Sequence, residues 1–150
     1  MTNLIFGTSA TSSRASIALL IGRFTLGVVL IAHGWQKFFT YGISGATAGF
    51  EQMGIPAAGA AAIFAALVEL VGGILLIVGF AVPLVGLLVA VDMAGALIFV
   101  HAPNGVFVDA GGYELVLVVG ALGAIFAVLG AGGYAVDRLI AGWQRASVNV

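Results

Sequence analysis

Arg23, Glu69 and Asp92 each stand alone in a long apolar run, at 15–32, 57–80 and 83–100 respectively. Runs of this length leave a chain little choice. About 20 apolar residues form a helix that crosses some 30 Å of hydrocarbon, and there the backbone can satisfy its N–H and C=O groups only internally. A charge isolated in such a segment costs several kcal/mol or more. Arg23, Glu69 and Asp92 are therefore expected to face the inside of a bundle, as a structural pairing or as a functional site.

The rest of the chain agrees with a membrane setting. It is 62% hydrophobic and 7% charged over 150 residues, with 23 glycines and a mean hydropathy of +1.22. Soluble domains carry about 25% charged residues. The length admits one membrane domain of about four crossings. A net charge of -1 offers no basic patch for a row of phosphates, which argues against nucleic acid. With no cysteine, the chain has no disulfide, thiolate metal site or dithiol of its own. Electrons in any redox role would be carried by a cofactor or a partner.

The predicted crossings are 16–38, 57–80, 83–101 and 113–131. Pro56 and Pro83 suit first helical turns, and Pro103 ends the third crossing near His101. The segment 40–56 reads as a short interfacial helix with Ser44 as N-cap and Gly54 as stop. Residues 102–112, with Pro103, Asn104, Gly105, Gly111 and Gly112, read as a loop. The first run exceeds a cleavable h-region and is expected to be retained. Residues 1–14 are read as a flexible tail, 15–137 as the membrane domain and 138–150 as a second tail. Arg14, Arg138 and Arg145 flank the chain ends against Lys37 alone in the opposite loops, which predicts both termini in the cytoplasm.

Small residues recur every four positions at Ala58, Ala62 and Ala66, at Gly86, Ala90 and Ala94, and at Gly123, Ala127 and Ala131. This spacing lets helix backbones approach closely, and packing explains it without a separate function. A faint echo relates Arg23, Gly27 and His33 to Asp92, Gly95 and His101, and Glu69-Leu70-Val71 to Glu114-Leu115-Val116. It is compatible with a duplicated helical hairpin.

At 1.5 Å per residue, Arg23 is expected about 10 Å deep, Asp92 about 14 Å and Glu69 about 16 Å, nearly one layer. One guanidinium would then pair one or both acids and lower the burial cost of each. The functional reading is a proton-exchanging carboxyl beside a buried substrate; the structural one is a polar clasp that fixes helix order. A second layer gathers His33, Lys37, His101 and Glu114 near the opposite face, among Trp35, Phe38, Phe39 and Tyr41, which resemble an aromatic belt. Lys37 has the reach to snorkel to the interface. His33 and Lys37 are one helical turn apart and would suit an anionic headgroup or a quinone carbonyl. Haem ligation by His33 and His101 is not favoured, and no tightly bound cofactor or metal is expected. His101 lies nine residues after Asp92, on the opposite helix face unless the helix is distorted.

Six segments in order resemble the DoxX family of small bacterial membrane proteins: 23–27, His33-Gly34-Trp35-Gln36-Lys37-Phe38, the F-E-Q-M-G-I-P of 50–56, Glu69-Leu70-Val71-Gly72-Gly73, Asp92-Met93-Ala94 and Gly112-Tyr113-Glu114. The similarity runs from about residue 15 to 137. It implies a four-helix protein of the bacterial cytoplasmic membrane. The family takes its name from a subunit of a thiosulfate:quinone oxidoreductase, and some relatives are described as partners of thiol-oxidant defence proteins. Arg23, His33, Lys37, Glu69, Asp92 and Glu114 fall on polar positions of the family pattern; His101 is not mapped.

The sequence thus predicts an all-helical, four-crossing bundle, not an independent enzyme. Its foremost function is a quinone-binding or non-enzymatic subunit associated with a redox complex. The rivals are an accessory or assembly subunit of a larger membrane complex and a small proton-coupled transporter or lipid-handling protein. Partners would be the lipid bilayer and either another membrane protein or further copies of the chain.

Overall fold

The computed structural model describes residues 12–148, with side chains through 142. Six α-helices occur among the described residues: α1 (Ser13–Trp35), α2 (Gly42–Gln52), α3 (Ala58–Val78), α4 (Val82–Ala96), α5 (Glu114–Leu129) and α6 (Val136–Val148). Segments of π-helix extend α1 through Gln36–Thr40 and α4 through Leu97–His101, and 3-10 turns occur at Ala102–Asn104 and Val108–Ala110. Three stretches among the described residues are long and apolar enough to cross a membrane: Ser13–Thr40, Ala58–Val78 and Val82–Asn104. The fourth apolar helix, α5, has 16 residues, about 24 Å at 1.5 Å per residue.

Residues 1–11, most of the expected N-terminal tail, lie outside the described residues, whereas Arg14 belongs to the first turn of α1. Ser12 caps that turn, its side chain accepting from Ala15 N–H at 3.3 Å. The C-terminal segment forms α6 through Val148. In the short helix of 40–56, Ser44 is interior and not the N-cap, which is Tyr41. Gly54 does end it: at φ +71° it turns the chain so that Ile55 N–H reaches Phe50 C=O at 3.0 Å. Pro56 precedes α3 instead of entering its first turn, because the left-handed Ala57 (φ 50°) stands between them. Pro83 does sit in the first turn of α4. The helix, with its π segment, ends at His101 as Pro103 leads one to expect, and a 3-10 turn over Ala102–Asn104 follows.

Two antiparallel pairs, α1 with α3 and α4 with α5, form the body, joined through α3 and α4; α2 packs on α3. Each pair closes on glycines. A Cβ on Gly27 would fall 2.7 Å from Gly73 O, and one on Gly73 2.8 Å from Gly27 O. Likewise a Cβ on Gly86 would lie 2.5 Å from Gly123 O, and one on Gly123 2.9 Å from Gly86 O. The Gly86–Ala90 and Gly123–Ala127 stripes thus face each other, as small-residue spacing predicts. Leu26, Leu30, Leu76, Val82, Val89 and Phe126 fill the core between the pairs. Ile21, Phe24, Val28 and Val91 are exposed, an apolar exterior suited to lipid.

Candidate functional site

Near the end of the bundle formed by α2 and the 102–112 loop, a cavity of about 590 Å³ opens among the helices. Most of its wall is apolar, from Leu30 and Phe64 to Phe99 and Val119, and Phe50, Met53 and Ile55 cover it from α2 and the adjoining turn. Its polar lining is His33, Lys37, Glu69, Asp92 and His101. Five of the seven residues singled out in the sequence therefore share one cavity. Arg23 and Glu114 do not line it.

Lys37 does not snorkel outward. Its Nζ donates to Glu69 Oε2 at 2.6 Å, with the carboxylate side chain almost buried. Side chains on a helix lean toward its N-terminus, so at the far end of α1 the ammonium is aimed back into the bundle. Close approach of α1 to α3 makes the pair: a Cβ on Gly34 would meet the backbone of Leu70, the residue after Glu69. The reciprocal charges relieve each other's burial.

Asp92 lines the cavity from α4, and its Oδ2 is buried with no hydrogen-bond partner. His101 lines the same cavity although a regular helix would put it about 180° from Asp92. The distortion is the π segment Leu97–His101. One extra residue in the turn swings the later residues back by about 100°, bringing both side chains to one side. His101 Nδ1 lies 2.7 Å from Gly111 O. A carbonyl only accepts, so Nδ1 carries the proton and, in the neutral ring, Nε2 is an acceptor. His33 stands at the exposed margin of the cavity.

Arg23 corrects the single-layer expectation. It is completely buried, yet it donates from Nη1 to Leu76 O at 2.8 Å and from Nη2 to Tyr134 O at 2.6 Å, not to Glu69 or Asp92. The same lean that aims Lys37 inward carries the guanidinium toward the start of α1, away from the two acids. There it comes under the charge of Asp137, which accepts from Ala81 N–H at 2.7 Å through Oδ1 and from Val82 N–H at 3.1 Å through Oδ2. A carboxylate on the first N–H groups of α4 is an N-terminal cap aligned with the helix dipole. Burial pushes the Asp137 carboxyl up from the usual aspartate range, while the two N–H groups and Arg23 pull it down. Gly79, at φ +76°, makes room: a Cβ there would collide with Arg23 Nη1. Sequence reasoning missed Asp137, which lies at the edge of a polar segment 114 residues from Arg23 and beyond the last apolar run.

Glu114 serves the loop instead of the cavity, accepting from Val108 N–H at 2.7 Å through Oε1. Trp35, Phe39 and Tyr41 are exposed at the same end, with the Trp35 and Phe39 rings 4.2 Å apart, the placement expected of interfacial aromatics.

The sequence profile of the DoxX family matches residues 18–102, the portion that carries Arg23, Lys37, Glu69, Asp92 and His101. The chain belongs to the DoxX family. This DoxX protein is 35% identical over 119 residues to an uncharacterized protein of Haemophilus influenzae, covering 77% of this chain and 85% of that one. It is 37% identical over 84 residues to a Bacillus subtilis protein named "Putative oxidoreductase CatD", covering 56% of this chain and 60% of that one. No solved structure matches it significantly.

Proposed function

We propose that this DoxX protein is a four-crossing subunit of a redox assembly in the bacterial cytoplasmic membrane and that its cavity holds a quinone-type molecule. The cavity carries this reading. At about 590 Å³ it lies within the range of roughly 300–1,000 Å³ typical of small-molecule sites, and it combines apolar walls with few polar groups. Phe64, Val91 and Phe99 line it and are also exposed, so a lipid-soluble molecule would enter from the bilayer. The oxidoreductase name of the Bacillus relative favours redox work over transport. With no cysteine, the chain supplies no thiolate-held cluster or dithiol, and the electron-carrying groups are assigned to a partner chain. Arg14 and Arg138 lie at the end opposite the cavity, which supports cytoplasmic termini and an outward-facing cavity.

A photoreactive benzoquinone with a short isoprenoid tail, applied to the protein in lipid nanodiscs, tests the proposal. Mass spectrometry should find the label on Met53, Phe99 or their cavity neighbours, and excess unlabelled quinone should displace it. Labelling elsewhere, or labelling that excess quinone leaves unchanged, would overturn the proposal.

A further inference from the structure

We infer that the cavity selects an apolar molecule bearing a hydroxyl donor, the reduced quinol in preference to the quinone. The inference rests on the proposed quinone-type ligand and adds the oxidation state it takes.

The hydrogen-bonding capacity left open in the cavity decides the preference. A quinone offers two carbonyl acceptors and no donor, whereas a quinol has two O–H donors. On the protein side, the charge of Lys37 and one of its protons are engaged by Glu69 at 2.6 Å. The one N–H of a neutral His101 ring is spent on Gly111 O, leaving Nε2 as an acceptor. Asp92 Oδ2 is buried and has no donor at all. Lys37 keeps two further N–H groups and His33 stands at the exposed margin, but none of them reaches Asp92 Oδ2, so the unmet need in the lining is a donor at that oxygen. A hydroxyl at Asp92 would supply it. An unpaired buried polar group carries the full penalty of its lost hydration, and relief of that penalty favours a ligand that brings an O–H over an isostere without one.

A lipophilic ammonium would also answer Asp92, but it must shed the hydration of a full charge on leaving water, which a hydroxyl need not do.

The test compares four probes of one shape: a short-tailed benzoquinone, its quinol, the dimethyl ether of that quinol and an amine analogue. Binding is measured anaerobically by equilibrium dialysis against the full chain in zwitterionic nanodiscs. The quinol should bind at least tenfold more tightly than the quinone and the ether. Asp92→Leu should erase that preference, and Asp92→Asn, which offers an N–H donor, should move it toward the quinone. Gel filtration and circular dichroism establish that the variants fold; if both Asp92 variants fail to, the wild-type ranking of quinol against its ether still decides. Equal binding of quinol, quinone and ether would overturn donor selection while leaving the ligand class intact. A higher affinity for the quinone or the amine would also overturn it. If no probe binds, the ligand class itself falls.

Discussion

Lys37 and Glu69 meet across the α1–α3 contact, Nζ to Oε2 at 2.6 Å, next to the point where Gly34 brings the two backbones together. The ion pair and the helix crossing depend on each other. Moving α1 outward by the thickness of a methyl group would part the charges, and parted charges would each be left in an apolar surround.

The first prediction concerns removing one partner. Lys37→Met and Glu69→Gln should each destabilise the protein in detergent by about 3–5 kcal/mol or less, since the loss of one partner strands the other. The double variant should recover much of the loss. Reversible unfolding in mixed micelles gives the cycle; strictly additive losses would show that the two groups do not interact.

Glycine crossings provide a second test. Gly27→Ala, Gly34→Ala and Gly86→Ala each force a Cβ onto the neighbouring helix's backbone, and overpacking of this kind costs about 1–3 kcal/mol. Gly95→Ala meets nothing within 4 Å and should leave stability unchanged or slightly raised. Thermal melting of the four variants separates them; a uniform response would contradict the close approach.

Asp137 supplies a third. Asp137→Ala removes both acceptors from the start of α4 and the carboxylate beside Arg23, so a loss of about 2 kcal/mol or more is expected from the cap and the stranded guanidinium together. Hydrogen exchange at Ala81 and Val82 should accelerate in the variant. Unchanged exchange there would mean that the cap does not hold in solution.

Membrane sidedness is directly measurable because the chain has no cysteine. Ser44→Cys and Gly142→Cys, both at exposed positions, should react with an impermeant maleimide from opposite sides: Ser44→Cys in intact cells, Gly142→Cys only after the cytoplasmic membrane is opened. Labelling of both from one side would refute the assignment.

The apolar runs announced the helices, and their single charges pointed to polar positions inside a bundle. What the sequence could not convey was direction. Depth estimated from Cα positions places Arg23, Glu69 and Asp92 in one layer, but long side chains leave that layer. Arg23 leans to one end of α1, while Lys37, counted near the far end, leans back to Glu69. The π segment that brings His101 to the side of Asp92 is likewise invisible in hydrophobic spacing, because one extra residue in a turn alters no apolar pattern. Ala57 and Ala81, at φ 50° and 51°, lack the glycine that would have marked their turns. Asp137 lies 56 residues from the Ala81 N–H group it accepts, beyond any local rule.

That separation bears on how the chain is made. Ala81 and Val82 leave the ribosome long before residue 137 is synthesised, and Arg23 is older still. Until the carboxylate arrives, the start of α4 has no cap and the guanidinium no counter-charge, although α1, α3 and α4 are already translated. Helix α6 therefore acts through Asp137 as a latch on those earlier helices, so a nascent chain stalled or cleaved before position 137 would remain unlatched and open to quality-control proteases.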